Sequence, residues 1–185
     1  MRSVPALLSS LACSLVLSSA AAAQDMPPTP KPGPEHEIFK MEEGTWDAVI
    51  ELSPPGAPVM TSKGTEVAMV GCNGLCLITD FKGDMMPGMP FQGHGISTYD
   101  GAKKKYVGSW TDSMSPGISM SEGTYDPATK VMTSWMEGPD ATGVVQKTKA
   151  TVAYSDADHR TMTMFLKAPD GTEMQMMKIS YTRRK

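Results

Sequence analysis

The chain has 185 residues, with 17 Lys and Arg against 20 Asp and Glu, and a formal net charge of −3. This balance argues against nucleic acid as a partner, because the basic runs 103–105 and 183–185 fall in a predicted turn and at the terminus. The sequence contains no G-x-S-x-G elbow, no H-x-x-x-H motif and no glycine-rich phosphate loop. These absences exclude the common motif-bearing hydrolases and nucleotide enzymes, and we predict no cofactor.

The first 23 residues are predicted to be a secretory signal peptide. Arg2 is followed by an apolar run over 7–20 and by an A-x-A cleavage site at 21–23. The apolar run is too short for a membrane span, and no other stretch approaches spanning length. We therefore expect cleavage near Ala23 and a periplasmic or secreted protein.

Residues 24–34 are predicted to be a stiff spacer, because MPPTPKPGP carries five prolines within it. A short helix is predicted over 35–43, since Pro34 suits a first helical turn and Gly44 suits a stop. The remaining domain, 35–185, continues as short strands separated by Asn-Gly, Asp-Gly and Asp-Pro turns. The predicted strands cover 45–52, 61–70, 75–82, 91–100, 105–112, 117–126, 131–137, 146–155, 161–167 and 172–183.

An internal echo supports the hairpin prediction. The segments STYDGAKKKYVGSW (97–110) and GTYDPATKVMTSW (123–135) share Tyr-Asp, a later lysine and a final Ser-Trp. Each segment describes a strand, a turn opened by Asp and a returning strand. Consecutive hairpins form a meander, and a meander of about ten strands removes its two exposed edges by closing on itself. We predict an all-β, up-and-down antiparallel barrel, with a two-sheet sandwich as the alternative.

Methionine is unusually common, with 17 residues in the chain, and it takes the place of leucine as apolar filler. Its flexible thioether suits irregular cores and adaptable binding surfaces. In the last hairpin, a loop at 169–171 predicts Met164 opposite Met176 and Leu166 opposite Met174. The other face would carry Phe165, Met177, Ile179 and Tyr181, and alternation alone does not say which face lines the interior.

The segment GDMMPGMPFQGHG (83–95) is predicted to be an irregular apolar flap near the rim, because Pro87, Gly88 and Pro90 interrupt regular structure. We expect it to act as a mobile portal for a small apolar or amphipathic ligand that the barrel holds without catalysis. The predicted ligand contacts are Met86, Met89, Phe91, His94, Trp110, Asp112, Met164 and Met176.

Within that set, Trp110 and Asp112 in GSWTDS are the best candidates for specific contact. An aromatic face beside a carboxylate can stack on and orient a small ligand, and His94 offers a second polar group. The structural alternative is that Trp110 belongs to the core and Asp112 accepts hydrogen bonds from turn amides. Trp135 repeats Trp110 in the echo and fits either role.

Three other roles remain open: soft-metal binding, an enzyme, and a purely structural role in the cell envelope. Copper(I) or silver favours thioether and thiolate ligands, so Met86, Met89 and His94 form a conceivable soft-metal site, to which Cys72 and Cys76 could contribute. An enzyme would use Asp112 and His94 as an acid–base pair at the barrel mouth.

Cys72 and Cys76 flank Asn73-Gly74-Leu75, a tight loop that would place them opposite each other. In an oxidising compartment the first interpretation is a structural disulfide. Buried free thiols and a reactive or copper-binding dithiol are the alternatives.

The stretch Gly44-Thr45-Trp46 after a predicted helix resembles the G-x-W pattern of lipocalin-like (calycin) barrels. In those folds a basic residue from the last strand packs over the tryptophan, and Arg183 is placed to do so here, with Arg184 as the substitute. The blocks HEIFKMEEGTW, MPFQGHGISTYDGAKKKYVGSWTDSM, SEGTYDPATK and DGTEMQMMKISYTRR also resemble the bacterial domain of unknown function 1579 family. This resemblance implies an exported lipocalin-like barrel over about 35–184, and it implies no reaction.

Overall fold

The computed structural model describes residues 28–167 and 170–185. The predicted signal peptide, 1–23, and the first part of the predicted spacer lie outside the described residues. Residues 28–33 have no regular secondary structure, and Lys31–Lys185 forms one compact unit.

The unit begins with a short helical segment and continues entirely in strands. A 3₁₀ turn, Pro34–His36, leads into helix α1, Glu37–Glu42. A second 3₁₀ turn, Cys72–Gly74, lies between the second and third strands. The strands are β1 (Gly44–Leu52), β2 (Met60–Gly71), β3 (Cys76–Met86), β4 (Met89–Asp100), β5 (Lys105–Asp112), β6 (Ser119–Asp126), β7 (Val131–Pro139), β8 (Val145–Tyr154), β9 (His159–Lys167) and β10 (Glu173–Arg183).

The ten strands close into a barrel. Each strand pairs antiparallel with the next, and β1 also pairs with β10, where Trp46 lies opposite Arg183 and Leu52 opposite Met177. This last pairing leaves no strand edge in the barrel wall, because both ends of the meander are hydrogen-bonded. The predicted all-β, closed up-and-down barrel with a short N-terminal helix is confirmed, and the sandwich alternative is wrong.

The base of the barrel is built around Trp46, which is 1% exposed. The Arg183 guanidinium lies 4.1 Å from the centre of the Trp46 ring, and it donates hydrogen bonds to the Met41 and Glu43 carbonyls at the end of α1. Gly44 is needed beside it, because its φ is +130° and a Cβ there would lie 2.7 Å from Arg183 Nη1. One arginine therefore joins the last strand, the first strand and the helix.

Aromatic side chains surround α1 at this end. Phe39 packs edge-on against Tyr106 at 6.1 Å, Tyr106 against Tyr99 at 5.1 Å, and Tyr125 against Tyr154 at 5.9 Å between ring centres. Tyr99 and Tyr125 are equivalent residues of the two echoed hairpins. The Asp after each accepts a hydrogen bond from a turn amide two residues further on. The repeated Tyr-Asp pattern thus builds two turns and supplies two of the four tyrosines around the helix.

The segment 83–95 differs from its prediction as an irregular flap. Strand β3 continues to Met86 and β4 begins at Met89, so the two strands form a regular hairpin with a single irregularity between Asp84 and Met86. Pro87 fits because it occupies the turn itself with Gly88, whose φ is +77°, and Pro90 lies in β4 opposite Asp84 at the irregular end of the ladder. Pro followed by a positive-φ Gly is the favoured centre of a type II turn.

The last hairpin also departs from the predicted register. Leu166 lies opposite Met174 as expected, but Met164 lies opposite Met177, because a bulge between Gln175 and Met177 takes Met176 out of the ladder. The bulge moves β10 by one residue, and a one-residue shift exchanges the two faces of a strand. The inward side of β10 is therefore Met177, Ile179 and Tyr181.

Cys72 and Cys76 are joined in a disulfide, with 5.4 Å between their Cα atoms. Cys72 is exposed in the 3₁₀ turn, whereas Cys76 is buried at the start of β3. The bridge closes the β2–β3 loop at the helix end of the barrel.

Candidate functional site

The half of the barrel away from α1 is filled by packed side chains. Phe91 is 7% exposed and meets Phe81 edge-on at 5.9 Å. Met85, Trp110, Met162 and Met177 pack against the same cluster. Met164 shares the inward side of β9 with Met162, since side chains two residues apart along a strand face the same way. Phe91 and Trp110 therefore form core in this structure.

The Trp110 ring packs directly against two glycines of β4. A Cβ on Gly93 would overlap the Trp110 ring, and one on Gly95 would lie 2.9 Å from it. The Trp110 Nε1–H donates to Asp112 Oδ2 at 3.0 Å, and Asp112 also accepts from the Met114 amide at 2.8 Å and the Ser115 hydroxyl at 3.3 Å. Asp112 thus orders the strand end, which is the structural alternative that the sequence left open.

The second tryptophan of the echo faces the opposite way. Trp135 is 44% exposed on the outer wall. The equivalent turns are flanked by the pairs Tyr99–Tyr106 and Tyr125–Met132. Trp110 lies four residues after Tyr106, whereas Trp135 lies three residues after Met132. Since strand side chains alternate, that difference of one residue places the two indoles on opposite faces.

His94 lies on the outer face of β4. Its Nδ1 is 2.8 Å from Asp80 Oδ1, and both side chains are 56% exposed. The strand neighbour of His94 is Thr111, while Asp112 pairs with Gly93. This placement argues against the predicted roles of His94 in orienting an interior ligand and in forming an acid–base pair with Asp112.

The predicted soft-metal residues do not converge. Met86 and Met89 are paired at the β3–β4 turn, and His94 lies five residues further along β4, on the order of 16 Å away at strand rise. Metal–sulfur bonds of about 2.3 Å cannot bridge that separation. The disulfide of Cys72 and Cys76 lies at the other end of the barrel. In the described residues, no group of three or more His, Cys, Asp or Glu side chains could hold a metal ion.

The open interior space is instead a cavity of about 180 Å³ beneath helix α1. The helix contributes Ile38, Phe39 and Glu42 to it. One part of the wall is apolar or aromatic, and another part is formed by hydroxyl-bearing side chains on consecutive strands. The apolar part is Leu77, Tyr106, Val107, Met132, Val152 and Tyr154; the hydroxyl part is Thr79, Ser97, Ser121 and Ser134.

Small residues at inward positions of β4 to β7 create this space. A Cβ on Gly108 would lie 2.8 Å from the Ser97 hydroxyl oxygen and 3.1 Å from the Ser121 hydroxyl oxygen, and one on Gly123 would lie 2.8 Å from Ser134 Cβ. Larger side chains at these alternate positions would fill the cavity. Within the described residues, no hydrogen bond joins the hydroxyls of Ser97, Ser121 or Ser134 to another group.

Sequence reasoning missed this wall, although its signal was present. Inward positions of β4 to β7 carry serine or glycine where a filled barrel would carry large apolar residues: Gly93, Gly95, Ser97, Gly108, Ser119, Ser121, Gly123 and Ser134. The segments that show it are GHGIS, YVGSW, SMSEG and MTSWM.

A buried ionic network borders the cavity at Glu42. The Arg160 guanidinium, 5% exposed, donates to Glu42 and Glu66, and it stacks between Trp46 and Tyr181 at 4.5 Å from each ring centre. Burial raises the pKa of Glu66. Burial alone lowers the pKa of Arg160, but the adjacent carboxylates of Glu42 and Glu66 raise it above its usual value.

Tyrosines complete the network at both ends. The Tyr154 hydroxyl donates to Glu42, and the Tyr181 side chain lies beside Glu66. Burial, followed by the neighbouring carboxylates, raises the pKa of both phenols well above the usual value, so both remain hydrogen-bond donors. Arg160 Nε is the buried side-chain polar atom that the described residues leave without a partner.

A second concave region lies on the outer side of α1. This groove of about 610 Å³ is lined by Glu37, Lys40 and Met41 of the helix and by loop residues including Lys130 and Asp156. Most of its lining is exposed, whereas Ile38, Phe39 and Leu77 of the inner cavity are buried. Because binding in the inner cavity removes more of a ligand from water, it is the better candidate site.

The closed wall, the arginine-capped tryptophan and the helix-covered cavity define a lipocalin-like β-barrel. Within that class, the chain belongs to the family described as "Protein of unknown function (DUF1579)", whose model matches residues 31–183. The resemblance seen in the sequence is therefore confirmed. None of the curated proteins compared matches the chain.

Solved structures share the fold. Rv2717c from M. tuberculosis is 11% identical with a TM-score of 0.61, over 83% of this chain and 99% of that one. The S-type phycobiliprotein lyase CPES from Guillardia theta is 11% identical with a TM-score of 0.56, over 82% of this chain and 93% of that one. At these identities the likeness shows the barrel fold alone. No helix in the described ranges is both long and apolar enough to cross a bilayer.

Proposed function

We propose that this protein binds a small apolar or amphipathic molecule, without catalysis, in the cavity beneath α1. The observation that carries the proposal is the combination of buried apolar side chains with three unpaired serine hydroxyls around about 180 Å³ of space. Apolar area drives such binding, and a few polar groups set the orientation of the ligand. This site replaces the predicted one at the rim, where Phe91 and Trp110 are packed into core.

The cavity volume limits the ligand to about one ring. An apolar cavity of roughly 150 Å³ accommodates benzene, so toluene or benzyl alcohol fits the space beneath α1. We further propose that binding takes place outside the cytoplasm. The signal-like residues 1–23 and the disulfide of Cys72 and Cys76 support that proposal.

A cavity-filling variant tests the site. Ser134→Leu places a large side chain among the cavity-lining residues of β7, and we expect it to weaken toluene and benzyl alcohol binding at least about tenfold, equivalent to ~1.4 kcal/mol. Isothermal titration calorimetry on the folded variant measures the change. Thr133→Leu is the matched control. Thr133 is the neighbour of Ser134 in β7 and its side chain faces outward, so this substitution should leave the affinity unchanged. Equal affinities in wild type and Ser134→Leu would place the ligand elsewhere.

A further inference from the structure

The buried network holds more carboxyl groups than cationic groups. Arg160 is shared by Glu42 and Glu66, so one guanidinium faces two carboxylates. The next arginine along the base does not correct the imbalance, because Arg183 has its own partner in Asp158 at 3.4 Å. Lys40 of the helix is paired with Glu37 at 2.8 Å on the outer side. With both carboxyl groups counted as ionised, the formal sum over these described groups on the barrel side is one negative charge.

Glu42 is where this excess charge meets the cavity. It is the one carboxyl side chain among the described lining residues, whereas Glu66 lies behind Arg160 and does not line the space. One carboxylate oxygen of Glu42 accepts from Tyr154 and the other from Arg160. Since each carboxylate oxygen has two lone pairs, Glu42 can accept a further hydrogen bond from an occupant.

The rest of the lining suits a cation rather than an anion. Phe39, Tyr106 and Tyr154 offer aromatic rings, whose faces attract ammonium groups. The hydroxyls of Ser97 and Ser121 can accept hydrogen bonds from such a group. No Lys or Arg side chain is among the described lining residues.

We propose that the ligand of this cavity is a small protonated amine with an apolar body, whose ammonium group pairs with Glu42. The apolar body lies against Leu77, Met132 and Val152, and the ammonium supplies the positive charge that the network lacks. This inference rests on the proposed binding function and adds the ligand's charge to it.

Four probes of similar shape test the charge requirement on the wild-type protein: toluene, benzyl alcohol, benzylamine and benzoate. Calorimetry at neutral pH should show benzylamine binding about tenfold more tightly than benzyl alcohol, because a charge-assisted hydrogen bond exceeds a neutral one. Benzoate should bind more weakly than both. Equal affinities for benzylamine and benzyl alcohol would overturn the amine proposal while leaving small-ligand binding intact. No heat from any of the four would overturn both.

A pair of charge-neutralising variants locates the contact. In Glu42→Gln, benzylamine should lose its advantage over benzyl alcohol to within about threefold. Glu37→Gln is the matched control, because this substitution removes one negative charge from the same helix, and Glu37 lines the outer groove rather than the inner cavity. The preference should survive in Glu37→Gln, and its loss there instead would assign the amine to the groove. Should Glu42→Gln not fold, the wild-type ratio of benzylamine to benzyl alcohol still decides the proposal.

Discussion

Replacing Arg160 with methionine should lower the free energy of unfolding by about 3–5 kcal/mol. The guanidinium is buried with two carboxylates as its partners. Its loss leaves Glu42 and Glu66 facing each other with no counter-ion, and unpaired buried charges are costly. The variant also loses the stacking of Arg160 on Trp46 and Tyr181. Urea unfolding at neutral pH, followed by tryptophan fluorescence, measures the change.

Two further variants test whether the loss of stability comes from the buried charge network. Arg184→Met removes an arginine paired with Asp47 on the exposed side of the barrel, and its unfolding midpoint should stay close to wild type, because exposed pairs contribute little. The triple variant Glu42→Gln, Glu66→Gln, Arg160→Met removes the charges together and should recover much of the lost stability. An Arg160→Met protein as stable as Arg184→Met would contradict the role given to the network.

Replacing Trp46 with alanine should cost about 3–5 kcal/mol of unfolding free energy. This indole is the most deeply buried large side chain of the described core, at 1% exposure. Arg160 and Arg183 stack on it at 4.5 and 4.1 Å from the ring centre, and its Nε1–H bonds to the Glu42 carbonyl at 2.8 Å. Removing it leaves a void at the junction of helix, first strand and last strand.

Trp135→Ala provides the matched comparison in the same urea experiment. Trp135 is 44% exposed on the outer wall, with the Lys147 ammonium 5.7 Å from its ring centre. We expect a change within about 1 kcal/mol, since the indole fills no interior space. Similar losses in Trp46→Ala and Trp135→Ala would contradict the assignment of Trp46 as the packing centre of the base.

Much of the fold could be predicted because its signals are local. The local signals are turns opened by Asp, strands with alternating side chains and the Gly44-Thr45-Trp46 pattern, and each depends on a few neighbouring residues. Because about ten strands follow one another as hairpins, the chain forms a meander that removes its exposed edges by closing. The regular hairpin at 83–95 is not evident from the sequence, because Pro and Gly are typical both of irregular chain and of tight turns. In the structure Pro87 and Gly88 occupy the turn that a tight hairpin requires.

The candidate site could not be found in the same way, because it depends on register and on distant pairs. A one-residue bulge near Met176 decides which methionines of β10 face inward. Trp110 and Trp135 both follow a serine in the echoed hairpins, yet a difference of one residue in their strand positions separates core from surface. Arg160 meets Glu42 and Glu66 across 118 and 94 residues of chain, a separation that no local pattern encodes.

The most direct test is where a small aromatic probe binds inside the barrel. Crystals soaked with bromobenzene allow the bromine to be located from its anomalous signal. We expect an anomalous bromine peak beneath α1, within about 4.5 Å of cavity-lining residues such as Phe39, Ser121 and Ser134. A peak only beside Phe91 and Trp110, or no peak inside the barrel, would contradict a binding cavity beneath the helix.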